Sequence, residues 1–341
     1  MKQEVMVAPG KIEFHDVPIP EIGPTQALVK VIRIGICGSD IHVYHGEHPY
    51  TSYPVVQGHE MSGEIVKLGE SVSGLNVGDR VTVQPQLVCG KCLSCRSGNY
   101  NICDNLRVLG FQAPGTAVEY FAVDADKILR LPDDMSFELG ALVEPLAVAV
   151  HALGRVKQGD ARKILVLGAG PIGNLVAQAA KAYGAKEVMI TDLSEYRLGV
   201  AKECGVDHVL NPKNENILDK MNGYFGTDRA DLILECVGAQ CTIEQAIQYA
   251  RKGTDIVVVG VFGKKVTVDL GLVQDRELRL IGTLMYKRED FIKAIELLKS
   301  GKVDPRPLLS IHFPFHDYQK AYEYIDANRE RVMKVLIYVD E

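Results

Sequence analysis

Short apolar runs separated by Gly, Pro and Asp occupy the chain from residue 2 to about 125. Residues 28–34, 61–68, 80–83 and 119–123 carry the aliphatic and β-branched side chains of strands, with turn formers between them. This is an all-β style of segment. From about residue 162 the pattern changes. An apolar run at 163–167 leads into a glycine turn and an amphipathic stretch reaching Gly184, and a second run follows at 187–192. Residues 232–236 and 255–260 are further runs of Val, Ile and Leu. Continuous apolar runs alternating with helices predict a parallel sheet covered on both faces. Residues 288–300 set Phe291, Ile292, Ile295 and Leu298 at helical spacing, and 332–339 returns to strand character. The fold class is α/β, with a β-rich domain and a doubly wound parallel-sheet domain.

At 341 residues the chain is long for one hydrophobic core, so two domains are expected. Their boundary near residue 148 falls inside the apolar stretch 139–153, which predicts a shared helix rather than a tether. With 47% hydrophobic and 24% charged residues the composition is that of a globular protein. The net charge of -6, with Lys and Arg scattered, offers no basic surface for a phosphate backbone, so nucleic acid is not an expected partner. Pro9-Gly10 interrupts the N-terminus before any signal-like apolar run forms, and no later run has the length of a membrane span. A cytoplasmic location is expected.

Gly168-Ala-Gly170-Pro-Ile172-Gly173 is a GxGxxG that follows the strand at 164–167 and opens a helix. Its glycines permit a tight turn, close approach of a pyrophosphate and close packing of helix on strand. The helix N-terminus attracts the phosphates. Asp192, at the end of the next strand, can accept hydrogen bonds from ribose hydroxyls and repel a 2′-phosphate, which favours NAD over NADP. Arg197 nearby could accommodate a phosphate but does not directly follow the acid.

Cys89, Cys92, Cys95 and Cys103 are four of the eight cysteines. Their spacing lets one short lobe close around a tetrahedral zinc, a closed site that stabilises structure and does no chemistry. Disulfides and an iron–sulfur cluster are the competing readings. The first conflicts with a reducing compartment, and the second with an open polar loop lacking Pro after the last Cys.

Cys37 sits in a Gly-Ile-Cys-Gly-Ser-Asp segment and His59-Glu60 follows Gly58 further on. Singly, each is unremarkable, since a lone Cys is commonly core and a lone His is commonly hydrogen-bonded. Glu144 stands in the apolar run 141–147, where an ionised carboxylate is costly without a cation or donors, although Pro145 also suits a helix start there. Taken together these residues carry a resemblance. The stretches ICGSDIH, YPVVQGHE, VEPLAVAVHA, GAGPIG, TDLSEYRL and GTLMY, with the four-Cys lobe, occur in the order found in zinc-containing medium-chain dehydrogenases. The branch is that of sorbitol (L-iditol), L-threonine 3- and butanediol dehydrogenases, and the resemblance covers nearly the whole chain.

The resemblance implies a GroES-like catalytic domain over 1–148, completed by about 288–341, and a Rossmann NAD-binding domain over 149–287. It implies a catalytic zinc on Cys37, His59 and Glu60, with Glu144 beside it, as ligand or as holder of a bound water, and a structural zinc in the lobe. Ser39 and His42 match the family's proton relay, and Asp40 a carboxylate behind the metal ligands. Ile172, Asp192, Arg197, Val259, Gly260, Val261, Leu284 and Tyr286 match cofactor-contacting positions. The implied reaction is oxidation of a secondary alcohol of a polyol or sugar derivative by NAD. Where animal sorbitol dehydrogenases carry Arg just before Tyr286, this chain has Met285. That departure brings in L-threonine and 2,3-butanediol as alternative substrates, and sugar acids and sugar phosphates share the same frame. A catalytically silent NAD-binding sensor would have lost a residue at 37, 59, 60 or 144, and none is lost. Relatives form homodimers or homotetramers by joining Rossmann sheets, with 265–270 as the expected edge here. The remaining histidines, His48 among them, read as surface or packing residues, and Cys204, Cys236 and Cys241 as buried thiols.

Overall fold

In chain order the first segment forms β1 (Lys2–Ala8), β2 (Lys11–Asp16), β3 (Gln26–Ile36), α1 (Gly38–Tyr44), β4 (Glu60–Leu68), β5 (Arg80–Val83), β6 (Gln86–Leu87), α2 (Leu93–Arg96), β7 (Arg107–Val108), β8 (Tyr120–Asp124), β9 (Ile128–Arg130) and α3 (Phe137–Ala141). Helix α4 (Val143–Gly154) follows. The alternating segment then gives β10 (Lys163–Leu167), α5 (Pro171–Ala182), β11 (Glu187–Thr191), α6 (Glu195–Glu203), β12 (His208–Leu210), α7 (Ile217–Phe225), β13 (Leu232–Glu235), α8 (Gln240–Tyr249), β14 (Asp255–Val258), α9 (Leu270–Asp275) and β15 (Arg279–Gly282). The chain ends with α10 (Arg288–Lys299), β16 (Leu309–Pro314), α11 (Tyr318–Ala327) and β17 (Lys334–Tyr338). These elements belong to a computed structural model that describes residues 1–156 and 162–341.

Two units result. One comprises Met1–Glu144, Lys287–Lys299 and Leu309–Glu341, the other Pro145–Tyr286 and Ser300–Leu308. The division therefore falls inside α4 at Glu144, ahead of residue 148, and residues 300–308 go with the second unit rather than completing the first. Among the described residues no helix is long and apolar enough to cross a membrane.

The main sheet of the first unit runs β16-β17-β3-β4-β5-β9, with β8 also paired to β3. Strand β3 is central because Val29, Ile34 and their neighbours are apolar on both faces, so the strand is buried between partners. Its C-terminal end sets the site. Gly35 pairs with Glu60 on β4 and with Leu336 on β17, bringing three distant stretches together. A Cβ at Gly35 would stand 2.1 Å from Glu60 Oε2, so only glycine fits opposite that carboxylate.

The second unit is a six-stranded parallel sheet in the order β12-β11-β10-β13-β14-β15. Counted from β10 this is the doubly wound order 3-2-1-4-5-6, whose direction reverses between β10 and β13 and opens a crevice at their C-terminal ends. Its core includes Leu165, Leu167, Met189, Ile233 and Ile256, all fully buried.

Residues 265–270 are not the edge strand. Thr267 exchanges both backbone hydrogen bonds with the Gln240 side chain, donating at 2.7 Å and accepting at 2.8 Å, and Asp269 caps α9. The extended segment is thus satisfied by a helix side chain, and β15 takes the edge. The β1–β2 hairpin also escaped the pattern reading, because its charged residues interrupt the apolar alternation. Cys241, read as a buried thiol, is exposed.

Candidate active site

The thiol of Cys37, a ring nitrogen of His59 and a carboxylate oxygen of Glu60 lie within 4.8 Å of one another. The register just described places them there. Cys37 is the first residue past β3 and caps α1, and His59 immediately precedes β4, which Glu60 starts. Asp40 closes the turn by accepting a hydrogen bond from Cys37 N at 2.9 Å through Oδ2. Its Oδ1 faces His59 Nδ1 at 3.4 Å, and neither atom has a hydrogen-bond partner. A carboxylate behind Nδ1 fixes the ring and leaves Nε2 as the ligand atom. Burial opposes charge on His59, but Asp40 and Cys37 outweigh it and hold the imidazole well above its ordinary range. The set of one thiolate, one imidazole and carboxylate, with unsatisfied buried atoms on Asp40 and His59, has the donor chemistry of a zinc site.

The structure adds a residue that the pattern reading passed over. Lys334, at the start of β17, is buried and sets Nζ 2.8 Å from both Glu60 oxygens and 3.1 Å from the Ile36 carbonyl. Burial works against its charge, yet Glu60 and Cys37, with Glu144 further down, raise its pKa. A Lys amid the apolar tail MKVLIYV was the available signal, since such a charge must be paired. Glu144, 4% exposed in the first turn of α4, lies outside the tight group of three ligand atoms but within electrostatic reach of Lys334. Ser39 and His42 sit one turn apart on α1. Ser39 is half-buried, whereas His42 is exposed and has Nδ1 3.3 Å from Glu47.

Cys89, Cys92, Cys95 and Cys103 converge in the lobe as free thiols. Sulfur separations are 3.5 Å for Cys89–Cys103, 3.9 Å for Cys92–Cys103 and 4.0 Å for Cys89–Cys95. A tetrahedron with zinc–sulfur bonds of about 2.3 Å has edges of about 3.8 Å, so the cage fits one such ion. Backbone N–H groups of Cys92 and Cys95 point at the sulfurs of Cys89 and Cys92, each at 3.4 Å. Donors from the Lys91 and Cys92 backbone bring the Cys89 thiol down to about 6, while burial pushes Cys95 up to about 12.

At the second unit's crevice Gly168 has φ +101° and its N–H bonds the Thr191 carbonyl at 2.8 Å. A Cβ at Gly173 would lie 1.9 Å from the Gly168 carbonyl, which fixes the third glycine. Gly170 is the N-cap of α5 and Pro171 its first residue, leaving N–H groups for phosphate oxygens. Ile172 is half-buried in that first turn. Asp192 organises the loop, accepting from Ala169 N through Oδ2 and from Ser194 N through Oδ1, both at 2.9 Å, with Arg197 Nη1 3.9 Å from Oδ2. A second organiser, unread in sequence, is the fully buried Glu235. Its Oε1 accepts from Val237 N, Gly238 N and the Thr242 hydroxyl, and its carbonyl holds Val259 N and Gly260 N. Val261 and Leu284 are exposed, and the Tyr286 ring is fully enclosed.

Comparison with known proteins gives the family. Residues 23–133 match the alcohol dehydrogenase GroES-like domain and residues 171–300 the zinc-binding dehydrogenase domain. Sorbitol dehydrogenase of Bacillus subtilis is 33% identical over 99% of this chain and 97% of its own. The 2-dehydro-3-deoxy-L-galactonate 5-dehydrogenase of Pseudoalteromonas atlantica is 37% identical over 96% of each chain. The structure of an Escherichia coli alcohol dehydrogenase complexed with NADH superposes with a TM-score of 0.92 at 30% identity, over 99% of both chains. The protein belongs to the zinc-binding alcohol dehydrogenase family, with a GroES-like domain and a Rossmann domain. It is an oxidoreductase of the branch that includes sorbitol, threonine and butanediol dehydrogenases.

Proposed function

We propose that the protein oxidises a secondary hydroxyl of a polyol or related sugar derivative to a ketone, using NAD and a catalytic zinc. The observation that carries this reading is the convergence of Cys37, His59 and Glu60 beside a carboxylate-backed imidazole. Cys37, His59 and Glu60 would hold the metal, with Glu144 as the adjacent carboxylate, and the four-cysteine lobe would hold a second, structural zinc. When bound, the catalytic zinc lowers the pKa of a substrate hydroxyl toward neutrality. NAD, on the glycine turn and Asp192, is the hydride acceptor. Ser39 takes up the substrate's hydroxyl proton and His42, exposed to solvent, releases it. Asp40 holds the His59 ring, and Lys334 balances Glu60.

Polyol chemistry is supported by the sorbitol dehydrogenase relatives, and a sugar-acid substrate by the relative from Pseudoalteromonas atlantica. Met285 before Tyr286 favours threonine or butanediol as the second reading. NADH production by zinc-loaded protein over a panel of polyols, sugar acids, L-threonine and 2,3-butanediol tests the set. Turnover confined to threonine or butanediol would discard the polyol reading. Asp192→Ala should weaken NAD relative to NADP, and an unchanged ratio would place the ribose elsewhere. A homodimer or homotetramer joined along β15 is proposed, and a monomeric mass by light scattering would refute it. The free thiols suit a reducing, cytoplasmic setting.

A further inference from the structure

Two imidazoles lean on one benzene ring in the first unit. His48 stacks on Phe111 with centroids 4.7 Å apart and planes 18° from parallel, and the metal-group residue His59 meets Phe111 at 5.0 Å. Phe111 is 9% exposed, so it is a fixed platform for both. His48 Nδ1 lies 2.7 Å from the Thr51 hydroxyl, which orients the ring. Its Nε2 has no hydrogen-bond partner among the described residues, and the side chain is half-buried. Burial lowers the pKa of His48. Asp40 opposes that shift, and the charges of His42 and His59 reinforce it. The ring is therefore neutral near pH 7, with one nitrogen a donor and the other an acceptor.

We propose that His48 is a specificity residue, whose Nε2 hydrogen-bonds a second hydroxyl of the substrate beside the one that reacts. This rests on the polyol reading above and deepens it. If Thr51 donates to Nδ1, Nε2 carries the proton and donates; if Nδ1 donates to Thr51, Nε2 accepts. A hydroxyl group answers both arrangements, because it is donor and acceptor at once. A carboxylate or phosphate answers only one of them. Sharing Phe111 with His59 keeps the His48 ring close to the metal group, within reach of a substrate held there. Thr51 acts through His48 and is a positioning residue.

The test compares butane-2,3-diol with butan-2-ol, which differ by the one hydroxyl at issue, in zinc-loaded full-length protein. For His48→Phe, which keeps the stack on Phe111, kcat/KM for the diol should fall about tenfold, the scale of one lost hydrogen bond, with the loss in KM. Butan-2-ol should be unaffected. His48→Gln should recover part of the diol preference, and Thr51→Val should lose part of it. Calorimetric titration of xylitol into the NAD-bound protein should show Kd rising by a similar factor in His48→Phe, with an unchanged thermal melt. Equal losses on both alcohols, or no loss on the diol, would overturn the assignment while leaving the dehydrogenase reading in place. Failure of wild-type protein to oxidise either alcohol or xylitol would overturn the polyol reading and the assignment with it.

Discussion

The four-cysteine lobe and the Cys37–His59–Glu60 group gather ligands in opposite ways. The lobe takes all four from one short stretch, leaves three of them partly exposed, and steadies the sulfurs with its own backbone N–H groups. Its geometry is local. The other group draws on the ends of β3 and β4, has His59 and Glu60 buried, and leans on Asp40 and on Lys334 from the far end of the chain. In a low-dielectric interior each of its charges depends on the rest, so the site and the core stand or fall together. Changes to the lobe should act on stability alone, whereas changes to the deep group should mix stability with chemistry.

Cys37→Ala should have the largest effect. Losing several kcal/mol of charge stabilisation costs tenfold per about 1.4 kcal/mol, so turnover should drop by about a thousandfold or more. Zinc content measured by atomic absorption should fall from two per chain to one while NAD still binds; full activity would end the zinc assignment. Lys334→Met comes next. It strands a buried carboxylate, and urea denaturation should report a loss of about 3–5 kcal/mol, more than any single lobe substitution. A cost no greater than that of an exposed ion pair would break the contrast drawn between the two groups. Cys92→Ser should remove the lobe's zinc and lower Tm by about 2–4 °C per kcal/mol lost, yet leave kcat near wild type in the folded protein. A collapse of kcat would show that the lobe is not merely structural.

An effect confined to rising pH is expected from Glu4, another buried carboxyl of the first unit. No cation pairs with it among the described residues, and burial, with Asp40 adding to it, raises its pKa from 4.5 to about 8 despite a hydrogen bond from Gln57 N. The folded state thus binds a proton that the unfolded state has released. This contribution is complete below 4.5 and fades as pH rises through about 8. Glu4→Gln, which mimics the protonated form, should flatten the alkaline decline in Tm, and an unaltered slope would mean that Glu4 is ionised.

Much of this was legible in the residues. The strands at 80–83 and 163–167 have the bounds read from pattern, because apolar runs end there at turn formers. The glycine turn and four-cysteine lobe were legible for a related reason: their chemistry is contiguous, and spacing alone conveys it. Lys334 and Glu235 were not, since each acts on residues that only the sheet brings near, Glu60 through the β3–β17 pairing and Gly260 through the β13–β14 pairing. His48 was silent for the same reason, its meaning depending on Phe111, which approaches it only in the fold. The edge was misplaced because alternation at 265–270 looks the same whether a strand or the Gln240 side chain satisfies the backbone.

The position of Lys334 also bears on the order of events during synthesis. Strand β17, wedged between β16 and β3, is made after every other strand of its sheet, and the cation that balances Glu60 comes with it. Until then the strands bearing Cys37 and His59 are already made, but their ionic core is open. The whole of Pro145–Tyr286, by contrast, is available to fold while translation continues. A nascent chain would acquire its dinucleotide crevice before β17 closes the ionic core around Glu60.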